Sequence, residues 1–211
     1  MKRVIASVLA LAMVFTLAAC GAVASASPAP APAETAAAPA ETLSSDAEAI
    51  AAKAAASFTY DKPGKNVYFA SPMFAQGEKD YNAKVVEVLE KHGYCVFLPQ
   101  RDGIEAALLE GLSDEEMTKI IFDLDYKRVS DADIVFMNID GRVPDEGGCV
   151  ELGMAYALGK RCYGLKSDTR SLELGMDLNP LIGGAMIKIF KNFDGHALIE
   201  EIDQYLNENE L

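Results

Sequence analysis

Histidine and cysteine are scarce in this chain of 211 residues, and the shortage removes several kinds of chemistry at once. Only His92 and His196 occur, which leaves little material for a Cys/His metal site or a Ser-His-Asp triad. The four cysteines are Cys20, Cys95, Cys149 and Cys162, and none lies in a Cys-x-x-Cys pair. They do not read as a disulfide framework; Cys95 and Cys162 fall in apolar runs, where a small buried thiol is the simpler reading. Basic residues are also short: 19 Lys and Arg stand against 32 Asp and Glu, a net charge of −13. From Lys65 onward the imbalance is 15 to 27. Nucleic-acid polymers are bound by basic faces, so this surface excludes them as partners, although not a nucleoside or free base. Missing too are a G-x-G-x-x-G run after the first strand and a Walker A loop, which argues against a dinucleotide or ATP enzyme.

What is present begins with an unusual front. Lys2 and Arg3 precede an uninterrupted run of apolar and small residues over 4–19, too short for a comfortable membrane span and reading as an export signal. It ends in Leu17-Ala18-Ala19-Cys20-Gly21, which resembles the lipobox of bacterial lipoproteins, with Cys20 as the lipidated residue. Ordinary cleavage after Ala24-Ser25-Ala26 is the alternative, giving a secreted protein. The resemblance implies an extracytoplasmic protein held to the membrane through its lipid only. Residues 20–60 are rich in Ala, Pro and Ser and read as a disordered tether. Within it, residues 45–56 have some helical character, but no apolar stripe with which to dock.

From residue 65 to 211 the pattern changes to short apolar runs alternating with amphipathic stretches. Strands are predicted over 66–71, 94–98, 132–138, 161–165 and 185–190, with helices over 77–92, 113–129, 148–158 and 194–206. Ser113 and Glu116 form a capping-box signature at the second helix, and Lys91-His92-Gly93 marks the end of the first. Continuous apolar strands separated by helices specify a doubly wound α/β fold, flavodoxin- or Rossmann-like, with a five-stranded parallel sheet covered on both faces. Ligands bind such sheets beyond the carboxyl ends of the strands. That edge comprises residues 71–74, 99–102 and 139–148.

The third strand leads into Asp140-Gly141-Arg142-Val143-Pro144-Asp145-Glu146-Gly147-Gly148-Cys149-Val150-Glu151-Leu152-Gly153, which sets several carboxylates at the binding edge. With Gly148 near the N-cap, Glu151 falls in the first turn, where free N–H groups and the helix dipole favour an ionised, attacking carboxylate. A helix-capping glutamate is the competing reading. The reciprocal capping box, however, needs a Ser or Thr where Gly148 stands.

Asp-Gly-x-x-x-Asp-x-Gly-x-x-x-Glu-Leu-Gly-x-Ala-x-Ala-x-Gly-Lys, here Asp140 to Lys160, resembles the signature of the nucleoside 2-deoxyribosyltransferases. The likeness extends to Val67-Tyr68-Phe69-Ala70-Ser71-Pro72-Met73-Phe74, Phe97-Leu98-Pro99-Gln100, Asp168-Thr169-Arg170 and Asn179-Pro180-Leu181-Ile182. It implies transfer of 2-deoxyribose between nucleobases through a covalent glycosyl-Glu151 intermediate, with retention of configuration and without metal or cofactor. Partners would be a deoxyribonucleoside and a free base. By the same resemblance Tyr68 orients the nucleophile, Asp125 protonates the leaving base, Asp145 contacts a sugar hydroxyl and Phe74 stacks on the base. Asn179 would be donated by a neighbouring subunit of a homo-oligomer with shared active sites, and Gln100 or Arg101 would read the base edge. Plainer alternatives stand beside these: a buried strand Tyr68, an exposed helical Asp125, a capping Asp145, a core Phe74 and a loop Asn179. Two other functions remain open, an N-glycosidic hydrolase of nucleosides or their monophosphates and a non-catalytic nucleoside-binding lipoprotein. Relatives that hold a phosphate use a Gly/Arg-rich first loop; residues 71–77 contain no Arg and one Gly, which disfavours a monophosphate.

Overall fold

A computed structural model describes residues 42–169 and 177–211. The export signal, Cys20 and Arg170 lie outside the described residues. Five strands, β1 (Asn66–Ala70), β2 (Cys95–Phe97), β3 (Ile134–Asn138), β4 (Arg161–Lys166) and β5 (Lys188–Lys191), form one sheet in the order β2-β1-β3-β4-β5. Every pairing is parallel. This is the doubly wound α/β arrangement expected, and its order reverses between β1 and β3, the place where such sheets open a crevice at their carboxyl edge.

Strand side chains alternate between faces. Val67, Phe69, Ile134 and Phe136 point into one core with Val85, Val86 and Leu89 of α2 (Gln76–Lys91) and Leu198, Ile202 and Leu206 of α7 (Gly195–Glu208). Tyr68, Ala70, Val135 and Met137 point into the other, against α4 (Asp114–Asp131) and α5 (Glu146–Ala157). Because both faces are covered, the central strands β1 and β3 are buried along their whole length and mostly apolar; each large aliphatic side chain so buried contributes roughly 1.5–3 kcal/mol. Helix termini follow local chemistry. Ser113 and Glu116 close the capping box of α4, and His92 ends α2 with its ring on Asp203.

Three expectations need correction. First, the tether does not run to residue 60, because Ser45–Ala56 forms a docked helix, α1, within the compact unit Thr42–Leu211. It buries Ala47 and Ala54 rather than a stripe of large apolar residues, and methyl-sized side chains let it lie close enough for polar groups at its ends to hold it. Second, α5 starts earlier than expected: Asp145 is its N-cap, accepting from the Gly148 N–H at 2.7 Å. An Asp side chain can accept that bond and a Gly cannot. Third, two short helices were not anticipated, α3 (Pro99–Asp102) and α6 (Pro180–Ala185); both open on proline, whose fixed φ suits a first helical residue.

Candidate active site

The apolar side of α5 faces the sheet, with Gly148, Leu152 and Ala155 buried. Glu151 lies three residues after Gly148 and four before Ala155, so it shares that inward side. The strand residue it meets is Tyr68, fully buried in the middle of β1 on the α5 face of the sheet. The Tyr68 hydroxyl donates to Glu151 Oε1 at 2.7 Å. From α4, Asp125 lies near enough for its charge and the phenol to influence each other; it sits beside Leu124 and one turn before Arg128 and Val129, all buried. Two residues 83 positions apart thus meet at one hydroxyl, with Asp125 close by.

Glu151 is not in the first turn of its helix, as expected, but six residues past the cap. Its carboxyl is accordingly not held low by the helix terminus. Burial pushes it up to about 7, the Tyr68 hydrogen bond pulls it down, and the charges of Asp125 and Asp145 add to the rise. Burial also lifts Asp125 to about 6, against the pull of Tyr68. The phenol itself is raised well above its ordinary value, first by burial and then by the two carboxylates. A phenol has one proton to give. That proton lies on Glu151, and Asp125 acts on the phenol chiefly through its charge. Burial raises both carboxyls and the charge of Asp125 raises Glu151 further, so the two titrate as a coupled pair. An ionised carboxylate next to a protonated one is the pairing that nucleophilic attack with acid assistance to a leaving group requires.

The remaining expected residues are dispersed. Asp145 caps α5, as its plainer reading held, and its charge is felt by Glu151. Phe74 is no core aromatic: it stands 81% exposed on the loop leaving β1, its backbone N–H donating to Glu78. Gln100 is engaged inside the protein, accepting from Asn82 and donating to the Lys79 carbonyl. Arg101 pairs with Glu90 and Asp102. Asn179 caps α6 and lines an apolar cavity of about 640 Å³ with Cys149, Leu152 and Tyr156, a cavity that none of Tyr68, Asp125 and Glu151 lines. Among the described residues, no three His, Cys, Asp or Glu side chains gather so as to hold a metal ion.

A second polar group lies beside the sheet's carboxyl edge. Asn82 of α2, fully buried, donates to the Pro72 carbonyl and Gln100 and accepts from Asn138 at the end of β3. Asn138 in turn accepts from the Asp140 N–H, and Asp140 takes the N–H groups of Ser167 and Asp168. These bonds tie together the loops after β1, β3 and β4 around a polar cavity of about 300 Å³. The signal was available in the sequence: Asn82 occupies the same helical stripe as Val85, Val86 and Leu89, where a polar side chain needs buried partners.

The sequence profile of the nucleoside 2-deoxyribosyltransferases matches residues 67–207. A solved 2-deoxyribosyltransferase from Bacillus psychrosaccharolyticus is 26% identical, with 66% of this chain and 91% of that one covered and a TM-score of 0.53. A conserved protein from Enterococcus faecalis V583 is also 26% identical, with coverage of 66% and 98% and a TM-score of 0.54. Among curated protein sequences no relative matches.

Proposed function

The chain belongs to the nucleoside 2-deoxyribosyltransferase family, and from that premise we propose that it moves 2-deoxyribose from one nucleobase to another. The observation that carries the proposal is the Tyr68 hydroxyl, 2.7 Å from buried Glu151, with the Asp125 carboxyl near enough to act on both. In the first half-reaction a Glu151 carboxylate oxygen attacks the anomeric carbon while the bond to the base nitrogen breaks. The electron pair leaves with the base, and Asp125 supplies the proton that neutralises it. In the second, a nitrogen of the incoming base attacks the same carbon, its proton passes to Asp125, and the ester electrons return to Glu151. Two inversions restore the original configuration, as in retaining glycosidases. Tyr68 fixes the attacking oxygen and stabilises its charge.

Asp145, at the N-terminus of α5, is placed in this reading at the sugar hydroxyls, and exposed Phe74 at the face of the base. Asn179 completes the site of a neighbouring copy in a homo-oligomer. Export and attachment through Cys20 place the activity outside the cytoplasm.

The test is exchange: the purified protein is incubated with one deoxynucleoside and a different free base, and products are followed by chromatography. A new deoxynucleoside is expected. Free base and deoxyribose alone would indicate hydrolysis, and unchanged substrate would leave only nucleoside binding. Glu151→Ala should lower exchange by several orders of magnitude, since the covalent route disappears; near-normal exchange would remove Glu151 from the mechanism.

A further inference from the structure

The family match begins at residue 67, yet α1 and the residues after it are bound to the elements that carry the site. At the start of α1, the Ser44 N–H donates to Glu116 Oε1 at 3.1 Å, while Glu116 Oε2 accepts from the Ser113 N–H at 3.1 Å. One carboxylate thus serves the N-termini of α1 and α4 together. At the far end, Arg128 of α4 donates to the carbonyls of Ala54 and Ala55, the C-terminus of α1, at 3.2 and 2.9 Å, and to Phe58 at 2.9 Å. The two helices therefore lie side by side and parallel, pinned at both ends.

Arg128 is only 3% exposed, and a buried cation needs compensation. It receives it from the negative end of the α1 dipole and from two aromatic rings, Phe58 at 5.4 Å and Phe97 at 5.1 Å. Phe58 meets Phe97 edge-on, and Phe97 stacks on Tyr68 at 5.6 Å. The Tyr60 hydroxyl closes the arrangement on the Arg128 carbonyl. Contacts thus run unbroken from α1 through Arg128 and Phe97 to the phenol that bonds Glu151, and Asp125 lies one helical turn before Arg128.

We propose that α1 with residues 57–60 is a splint for the active site, and that Arg128 is a positioning residue that, through Phe97 and helix α4, holds Tyr68 and Asp125 in register with Glu151. The proposal deepens the deoxyribosyl-transfer reading and rests on it. Lysine cannot replace Arg128, since one ammonium cannot reach three carbonyls while lying flat between two rings.

The experiment is a double-mutant cycle on the full chain, following exchange with Arg128→Lys, Asp125→Asn and the two combined. Arg128→Lys should lower kcat about tenfold, equivalent to ~1.4 kcal/mol, and leave KM within about twofold. Beside Asp125→Asn the same change should cost less than about twofold, because contacts acting through one another are not additive. Equal losses in both backgrounds, or no loss in either, would overturn the proposal. Phe58→Leu, which keeps the cation, is the second variant should Arg128→Lys melt below the assay temperature, and the same non-additivity is expected of it. If the wild-type protein transfers nothing, the transfer reading fails, and positioning is then judged by the carboxyl carbon NMR titration of Asp125. That group faces Tyr68 from β1 and Glu151 from α5, with Arg128 on its own helix. Its midpoint should fall towards the ordinary carboxylate range in Arg128→Lys as water enters; an unmoved midpoint overturns the splint independently.

Discussion

A carboxylate that attacks carbon has to be ionised, yet Glu151 sits where burial opposes ionisation and lifts it to about 7. The Tyr68 hydrogen bond is the influence that brings it down, so Tyr68→Phe should raise Glu151 further. Because activity needs the ionised form, the acid limb of the kcat/KM profile should move to higher pH, by about one unit. At pH 7 kcat should fall roughly 10- to 100-fold, the worth of a hydrogen bond to a charged group. A profile that keeps its acid limb would assign Tyr68 a packing role only. The same burial has a thermodynamic side. The folded Glu151 binds its proton more tightly than the unfolded chain does, so stability is full below the ordinary carboxyl range near 4.5 and declines as pH rises through about 7. Glu151→Gln, which cannot ionise, should therefore stabilise the protein at pH 8 by about 1–2 kcal/mol, a Tm increase of roughly 2–8 °C, while exchange is lost. A calorimetric scan showing no gain at pH 8, or an equal gain at pH 4, would contradict the placement of this carboxyl.

At the scale of the element, the loop between β3 and α5 is where backbone geometry meets chemistry. Gly141 has φ +130, and a Cβ there would sit 2.7 Å from the Val143 carbonyl oxygen. Gly141→Ala should thus strain the loop by about 1–3 kcal/mol and, by displacing the Asp145 cap, loosen the start of the helix that carries Glu151. The measurable outcome is a lower Tm together with a lower kcat; an unchanged melting curve would mean that the loop yields without cost. Elements built on large apolar side chains were legible in the sequence, because Val67, Phe69, Ile134 and Phe136 sit in short runs dominated by apolar residues. Tyr68 and Glu151 were legible through the motif that surrounds them. Helix α1 was not, since alanine methyls and the carbonyls at its end hold it, and neither produces a hydrophobic stripe. The start of α5 was misplaced because the side chain of Asp145, not the flexibility of Gly148, decides where that helix begins. Asn82 was hidden by its surroundings: its partners Asn138 and Gln100 lie 56 and 18 positions away, a proximity only the sheet order creates.

For the molecule as a whole, charge decides what membrane attachment has to depend on. Without residues 1–19 the chain loses Lys2 and Arg3 and carries 17 basic against 32 acidic groups, a net of −15. Anionic lipid surfaces attract basic segments at about 1 kcal/mol per Lys or Arg near the surface and repel acidic ones, so the protein domain has no electrostatic hold of its own. No helix among the described residues is long and apolar enough to cross a membrane. Attachment in the proposed arrangement rests on lipid at Cys20, and hydrophobic anchoring, unlike ionic adsorption, is indifferent to salt. Two observations separate these cases in cells expressing the full chain. Wild-type protein should remain with membranes after washing at about 1 M salt, where exposed charges are screened within ~3 Å, and Cys20→Ala should move to the soluble fraction without any change in the exchange activity of the domain. Release of the wild type by salt would point to adsorption, and a variant still held in the membrane fraction would remove Cys20 as the anchor.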